Sequence, residues 1–189
     1  MAAMSTMPWP DHLFTLEEWD ALPEDKSRHF ELVEGVLLVA PRPAPKHQVA
    51  MANLRSCLKE QLPAGIVAVQ DVDVVIDPGP PLSLRAPDVV VVPAERYWEH
   101  PSRFNPDDLH LAVEIVSPGT GRTDRVFKPI EYAKVGIPHY WVVELDEPVT
   151  LIAFSLVAGR YKQIAQGTGK VEVPEPFPVT VDLATLINP

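Results

Sequence analysis

Two apolar strands separated by a helix constrain the fold of this chain more than any other feature. Residues 109–116 alternate between two faces, one of them wholly apolar, which predicts a strand. Residues 124–135 have a helical pattern that ends before Gly136 and Pro138, and residues 139–145 predict a second strand. A strand, a helix and a strand in this order predict a right-handed crossover and parallel pairing.

Proline limits the length of the other elements. The chain has 22 prolines among 189 residues, more than twice the usual share. This abundance excludes a long helical bundle and predicts short elements joined by rigid turns. The chain length suits one domain, which we expect at residues 14–189 after a loose N-terminus at residues 1–13.

Further strands and one long helix are predicted around the crossover. Thr15 and Glu18 form the pattern of a capping box, and residues 30–39 predict a β-hairpin that turns at Glu34 and Gly35. Residues 47–62 lack glycine and proline and carry apolar residues at helical spacing. Residues 66–76 and 87–92 predict antiparallel strands, and residues 150–183 predict a C-terminal β extension. The fold class is therefore α/β, with a mixed central sheet flanked by helices.

Two acidic residues stand in segments that are otherwise apolar. Asp88 begins the valine-rich strand at residues 87–92, and Glu114 lies within the strand at residues 109–116. Each carboxylate would be costly to bury without a partner. Two such acids on neighbouring strands can hold a hard divalent cation, and a nearby lysine could orient or deprotonate a water for attack on a phosphodiester.

Other catalytic classes are excluded by missing motifs. The sequence has no nucleophile elbow and no P-loop, and Gly119 and Gly121 lack the third glycine of a dinucleotide-binding loop. The six histidines show no H-x-x-x-H pair, and one cysteine, Cys57, excludes a thiolate zinc cluster. The carboxylates therefore remain as the candidate chemistry.

Five sequence blocks carry a resemblance to a known family. They are FELVEG at residues 30–35, APDVVVV at 86–92, VEIVSP at 113–118, DRVFK at 124–128 and YAKVGIPHYWV at 132–142. In this order they resemble the Uma family of restriction endonuclease-like proteins, which is similar to the PD-(D/E)XK nuclease superfamily. The resemblance runs from about Phe14 to the C-terminus and implies a restriction endonuclease-like core.

The resemblance also implies a metal site. Asp88 and Glu114 would bind the metal, with the main-chain carbonyl of Ile115 as a further ligand. Glu31, from the first block, would be an auxiliary acid. The implied cofactor is Mg²⁺, with Mn²⁺ as a substitute.

The catalytic lysine departs from the superfamily pattern. That pattern has a lysine two positions after the acid, where this chain has Val116. The family block implies that the amine comes from the next helix, as Lys128. A helix there would put Lys128 and Tyr132 on one face, with Pro129 at the first helical position and Lys128 at the entrance.

Each candidate residue also has a purely structural interpretation. Asp88 could cap a turn before a strand. Glu114 could form a buried ion pair with Arg122, Arg125 or Lys128.

The remaining candidates have similar alternatives. Glu31 could face water at the edge of a hairpin, and Lys128 could be an ordinary surface lysine. His47 and Gln48 begin a helix after a loop and could face the site, but we leave them out of the catalytic set because a histidine at a helix start is usually solvated.

The formal net charge of −10 disfavours a large basic footprint for nucleic acid. Residues 122–134 form one modest basic stretch that could contact phosphate. The first hypothesis is a Mg²⁺-dependent DNA endonuclease, expected as a homodimer because cutting two strands calls for two sites. The alternatives are a catalytically silent interaction module that keeps the nuclease fold, and a hydrolase of a small phosphoester.

The compartment is expected to be the cytoplasm. Cys57 has no partner for an internal disulfide, which fits a reducing environment. The N-terminal residues lack the pattern of a secretory signal, and no apolar run is long enough to span a bilayer. A membrane partner is therefore not expected.

Overall fold

The computed structural model of the chain describes residues 11–22, 28–41, 43–116 and 121–188. Most of the predicted loose N-terminus, and residues 117 and 118 of the third family block, lie outside the described residues. The α-helices of the described part are α1 (Leu16–Asp20), α2 (Pro45–Gln61), α3 (Ala94–Trp98), α4 (Lys128–Lys134) and α5 (Leu183–Leu186).

The strands of the described part form three sheets. They are β1 (Arg28–Val33), β2 (Val36–Pro41), β3 (Ile66–Gln70), β4 (Val74–Asp77), β5 (Ser83–Arg85), β6 (Val89–Pro93), β7 (Leu111–Val116), β8 (His139–Glu144), β9 (Thr150–Val157), β10 (Arg160–Thr168), β11 (Lys170–Val173) and β12 (Val179–Asp182). Six strands make the central sheet in the order β10-β9-β8-β7-β6-β3, four make a second sheet in the order β2-β1-β5-β4, and β11 pairs with β12.

The central sheet confirms the predicted mixed topology. β7 and β8 are parallel, with Glu114 opposite Val142, whereas β6 pairs with β7 and with β3 in antiparallel register. The helical segment between β7 and β8 makes the crossover that parallel pairing requires. The C-terminal β extension is also confirmed, although two of its strands, β9 and β10, extend the central sheet itself.

One face of the central sheet is covered by α2, α5 and the β11–β12 hairpin. Ala50, Leu54 and Leu58 of α2 are fully buried against the apolar side of β7, which includes Val113 and Ile115. These three helical residues are spaced four apart, so they form one stripe along α2. This apolar packing confirms the helix predicted at residues 47–62 and extends it to Pro45.

The other face of the central sheet meets α4 and, beyond it, the four-stranded sheet. The ring of Tyr132 in α4 packs edge-on against Tyr140 of β8. The four-stranded sheet has its own small apolar cluster around Leu32 and Leu84, which α1 covers from the outside through Trp19. α4 therefore lies where the two sheets come together.

The helix predicted at residues 124–135 has a different beginning. Thr123–Phe127 form a π-helical turn that continues directly into α4, and the N–H of Lys128 bonds to the carbonyl of Thr123. Lys128 is thus inside a continuous helical segment rather than at its entrance, and Pro129 is the second residue of α4. A proline ring clashes with the carbonyl four residues earlier in an α-helix, and the wider π turn relieves that crowding.

The capping box predicted at Thr15 and Glu18 can be compared directly with the structure. The Thr15 hydroxyl accepts from the N–H of Glu18, and the Glu18 carboxylate accepts from the N–H of Thr15, so the predicted capping box is confirmed.

Within the described ranges, none of the helices combines the length and apolar character needed to cross a bilayer.

Candidate functional site

The antiparallel pairing of β6 and β7 brings the two acids of the sequence pattern together. Val89 is opposite Val113, so Asp88, which precedes β6, lies beside the peptide that joins Glu114 to Ile115. Oδ2 of Asp88 accepts a hydrogen bond from the N–H of Ile115 at 2.6 Å. Asp88 therefore links the start of β6 to β7, and 16% of its side chain is exposed.

Glu114 points from β7 into the charged side of the sheet. It is 2% exposed, and its two oxygens have different partners: Oε2 accepts from Nζ of Lys128 at 2.7 Å and Oε1 accepts from the hydroxyl of Tyr132 at 2.8 Å. Burial raises the pKa of the Glu114 carboxyl well above its ordinary value, although the positive charge on Lys128 opposes this rise. The ion pair is one of the structural alternatives that the sequence left open.

Lys128 lies at the centre of an acidic cluster and is itself 5% exposed. Its Nζ is 2.7 Å from Glu114, 3.1 Å from Glu31 and 3.5 Å from Asp124. Burial alone would lower the pKa of this amine, but the surrounding carboxylates outweigh it and hold the pKa above its ordinary value. Lys128 is therefore a protonated ammonium at neutral pH, and the interpretation of it as a surface lysine is wrong.

Arg85 of β5 forms the outer part of the same cluster. Its guanidinium donates to both oxygens of Glu131 at 2.7 Å and to Oε2 of Glu31 at 2.9 Å. Burial would raise the pKa of Glu31, but Lys128 and Arg85 outweigh it and hold the pKa below its ordinary value. Glu31 is thus a carboxylate, and it faces the cluster rather than water, because its oxygens contact Arg85 and Lys128.

The π turn determines where Asp124 lies. Asp124 is buried in the first part of the turn, and its main-chain carbonyl accepts from the hydroxyl of Tyr140 at 2.5 Å. Its carboxylate faces Lys128 from four residues earlier in the helical segment. The turn therefore adds a third acid to the surroundings of the lysine.

His47, in the first turn of α2, is buried beside Asp88. It is 6% exposed, and its Nε2 lies 2.8 Å from the carbonyl oxygen of Ile115 and 3.3 Å from Oδ2 of Asp88. Burial would lower the pKa of the imidazole, but the hydrogen bond and charge of Asp88 outweigh it and raise the pKa. The expectation that this histidine is solvated is wrong, because α2 packs its first turn onto the ends of β6 and β7.

The structure thus brings all the side chains of the predicted set into one region. Glu31 and Glu114 each contact Lys128, and Asp88 is linked to Glu114 through its hydrogen bond to the next residue, Ile115. The basic stretch at residues 122–134 is less open to phosphate than expected, because Lys128 is buried and Arg125 pairs with Glu144.

Three residues of the cluster were missed by the sequence analysis, Arg85, Asp124 and Glu131, and a fourth, His47, was considered and left out. A signal existed for Arg85, because a charged residue next to the apolar block at residues 86–92 needs a partner once it is buried. A signal also existed for Asp124, which is four residues before Lys128 in a predicted helix.

Comparison with known proteins identifies the family of the chain. Residues 16–185 match the Uma2 family, which is described as putative restriction endonuclease. The chain belongs to this family. The Uma2 match covers α1 through β12 and most of α5, so the charged cluster lies wholly within the part that the family shares.

A solved structure supports the fold assignment. The chain is similar to a putative nuclease belonging to DUF820 from Anabaena variabilis ATCC 29413, with a TM-score of 0.72 and 20% sequence identity. The alignment covers 92% of this Uma2 chain and 97% of that chain. No curated protein matches the sequence.

The residues present fit a divalent cation by their chemistry, though only part of the set converges. Asp88 and the Ile115 carbonyl supply hard oxygen donors, and both lie within hydrogen-bonding range of the same atom, Nε2 of His47. Glu114 is instead turned towards Lys128 and Tyr132. Among the described residues, accordingly, no three acidic, histidine or cysteine side chains form a ready metal-binding group.

Proposed function

We propose that the chain is a metal-dependent phosphodiesterase of the PD-(D/E)XK type that cleaves DNA as an endonuclease. One observation carries this proposal: a buried, protonated lysine contacts Glu114, while Asp88 hydrogen-bonds to the adjacent residue of the same strand. A buried ionic cluster contributes little net stability, so its concentration at one point of the fold favours a functional role. Membership of a family described as putative restriction endonuclease supports the nuclease class.

The metal in this proposal is Mg²⁺, with Mn²⁺ as a substitute. Asp88, Glu114 and the carbonyl of Ile115 would hold it. When bound, a divalent cation neutralises charge on a phosphodiester and lowers the pKa of a water. Asp88 is the most accessible of these ligands, which fits a position between substrate and protein.

Lys128 orients the attacking water in this proposal rather than deprotonating it. Three carboxylates hold its pKa above the ordinary value, so the amine carries three N–H donors and has no lone pair to accept a proton. Glu31, as the auxiliary acid, keeps this ammonium in place at 3.1 Å. Arg85 in turn holds Glu31 ionised and fixed.

Cleavage of supercoiled plasmid with Mg²⁺ or Mn²⁺ tests the proposal. Wild-type protein is expected to nick or linearise the plasmid, and Asp88→Asn and Lys128→Met are each expected to lower the rate by about 100-fold or more. Lys134→Met is the matched control, because this exposed lysine of α4 lies outside the cluster. Equal rates in the wild-type and both cluster variants would overturn the proposal.

A second candidate function is an interaction module that keeps the nuclease fold without cutting. It is favoured by the net charge of −10, together with the pairing of the buried cations, Lys128 and Arg85, with acids of the chain itself. Absence of both cleavage and metal binding would favour this module, whereas metal binding without cleavage of DNA would call for tests on RNA and small phosphoesters. Cleavage of a small phosphoester alone would instead indicate a hydrolase that needs no extended basic surface.

We also propose that the enzyme acts as a homodimer of single-domain chains in the cytoplasm. Two symmetry-related sites would allow one assembly to cut both strands of a duplex. Sedimentation of the purified protein at micromolar concentration is expected to give twice the monomer mass. A monomer that linearises plasmid in one step would contradict this part of the proposal.

A further inference from the structure

His47 is a buried polar side chain that the nuclease pattern does not include. It comes from α2, on the opposite side of β7 from Lys128, and its Nε2 approaches two oxygens at once. These oxygens belong to Asp88 and to the carbonyl of Ile115. They are two of the three donors to which the proposed function assigns the metal.

The spacing of these three atoms matches neighbouring ligands around one metal ion. Ligands at roughly 2.1 Å from a metal, in octahedral geometry, lie about 3 Å from each other. Nε2 of His47 is 2.8 Å from the Ile115 oxygen and 3.3 Å from Oδ2 of Asp88. Both distances from Nε2 are therefore close to those between neighbouring ligands, so ligation would need no large movement of α2.

We propose that Nε2 of His47 is a nitrogen ligand of the divalent cation held by Asp88 and the Ile115 carbonyl, and that it biases the site towards Mn²⁺ over Mg²⁺. This inference rests on the metal site of the proposed function. Imidazole suits transition metals, whereas Mg²⁺ is held mainly by oxygen donors and water. A site with one nitrogen ligand is therefore expected to prefer Mn²⁺ over Mg²⁺ more strongly than a site made of two carboxylates and a carbonyl.

The role requires the imidazole to change its protonation when the metal binds. In the metal-free chain Nε2 carries a proton, because both groups that it approaches are oxygen acceptors. Binding through Nε2 requires the neutral ring with its proton on Nδ1, and Nδ1 is buried and makes no hydrogen bond with the described part of the chain. Metal binding therefore displaces the proton of Nε2.

A purely positioning role makes a different prediction. If His47 only donates a hydrogen bond that holds Asp88 and Ile115 in place, its removal weakens Mn²⁺ and Mg²⁺ binding to the same extent. If it is a ligand, its removal weakens Mn²⁺ binding selectively. The ratio of the two affinities is thus the quantity that separates ligation from support.

Calorimetric titration of the protein with MnCl₂ and with MgCl₂ measures this ratio. We expect His47→Ala to lower the Mn²⁺ affinity by about tenfold or more while the Mg²⁺ affinity changes by less than about threefold. His12→Ala, which removes an exposed histidine far from the cluster in sequence, is expected to leave both affinities unchanged. An unchanged Mn²⁺ to Mg²⁺ ratio in His47→Ala would overturn the inference.

A spectroscopic experiment on the unaltered chain avoids any dependence on the folding of a variant. Electron spin-echo spectra of the Mn²⁺ complex are expected to show coupling to a directly bound nitrogen, which changes to the ¹⁵N pattern when histidine is isotopically labelled. Bound Mn²⁺ without nitrogen coupling would overturn the inference and leave the proposed function intact. Absence of binding by either ion would overturn both.

Discussion

The two faces of the central sheet bury their side chains in opposite ways. On the face covered by α2, Val113 and Ile115 of β7 lie in a large cluster of apolar side chains. On the face covered by α4, Glu114 of the same strand lies among charged groups and tyrosine hydroxyls. One alternating strand thus supplies both environments, because successive side chains of a strand point to opposite sides.

The difference shows what each face contributes. Apolar burial is favourable in proportion to the area removed from water, so the α2 face stabilises the fold. For a buried ion pair, the loss of hydration roughly offsets the attraction between the two charges, so the α4 face adds little net stability. Its acids outnumber its cations: Glu31, Glu114, Asp124 and Glu131 surround Lys128 and Arg85. Each cation should therefore matter more to folding than each acid.

Removal of the central cation is expected to have the largest effect. Lys128→Met leaves three carboxylates facing one another without compensation, and the free energy of unfolding should fall by about 3–5 kcal/mol. Urea denaturation followed by circular dichroism measures the change. Lys134→Met, at the exposed end of α4, should change it by less than about 1 kcal/mol. Similar losses in the two variants would mean that the cluster does not depend on Lys128.

A cavity on the apolar face is expected to have the next largest effect. Leu54→Ala removes a fully buried side chain of α2, and the free energy of unfolding should fall by about 3 kcal/mol. Leu38→Ala, at a position that is 42% exposed on β2, serves as the size-matched control and should change it by less than about 1 kcal/mol. If Leu38→Ala cost as much as Leu54→Ala, burial on the α2 face would not be the source of this stability.

An ion pair outside both faces should have a smaller and pH-dependent effect. Oδ1 of Asp108 accepts from Nε of Arg96 at 2.7 Å. Burial would raise the pKa of Asp108, but Arg96 and the N–H of Asn105 hold it below the ordinary value. Asp108→Asn should lower the free energy of unfolding by about 1 kcal/mol at pH 7.

The direction of the pH effect follows from the lowered pKa of Asp108. The wild-type advantage is complete above the pKa of an unfolded aspartate and is lost as the pH falls through the lower pKa of the folded state. Denaturation of wild-type and Asp108→Asn protein at pH 7 and near pH 3 measures this loss. Asp107→Asn, which alters the exposed neighbour, is the control. A difference that grows on acidification would contradict the assignment.

Neutralisation of one acid in the cluster should have the smallest effect. Glu114→Gln can present its amide oxygen to Lys128 and donate from its amide nitrogen to Tyr132, while Lys128 keeps Glu31 and Asp124. The free energy of unfolding should change by less than about 1 kcal/mol, although plasmid cleavage should be abolished. A loss as large as that of Lys128→Met would show that acids and cations contribute equally.

The parts of the fold that could be predicted from the sequence are those set by local periodicity. The β7–helix–β8 crossover and α2 have long, regular patterns, and Glu114 is conspicuous because it interrupts one of them. β5 and α3 could not be predicted in the same way, because they have only three and five residues. The family blocks added the grouping of Glu31, Asp88 and Lys128, which periodicity alone does not give.

The missed residues depend on contacts between distant segments. His47 is separated by 68 residues from the carbonyl it contacts, and Arg85 by 46 residues from Glu131. Burial of a polar side chain at such a contact is decided by how whole elements pack, and no local pattern records it. The π turn was missed for another reason, since helical periodicity does not distinguish one extra residue within a single turn.

Because of the π turn, the number of residues in this segment determines how its side chains are placed around the helix axis. A π turn holds one residue more than an α turn would, and in an α-helix each residue advances the chain by about 100° around the axis. Deletion of Val126, a half-exposed residue of the turn, would let Thr123–Phe127 close into a regular helix. Asp124 would then precede Lys128 by three residues instead of four, and the segment before the deletion would turn about the helix axis relative to α4. Single-residue deletions in this segment should therefore be far less tolerated than substitutions at the same positions.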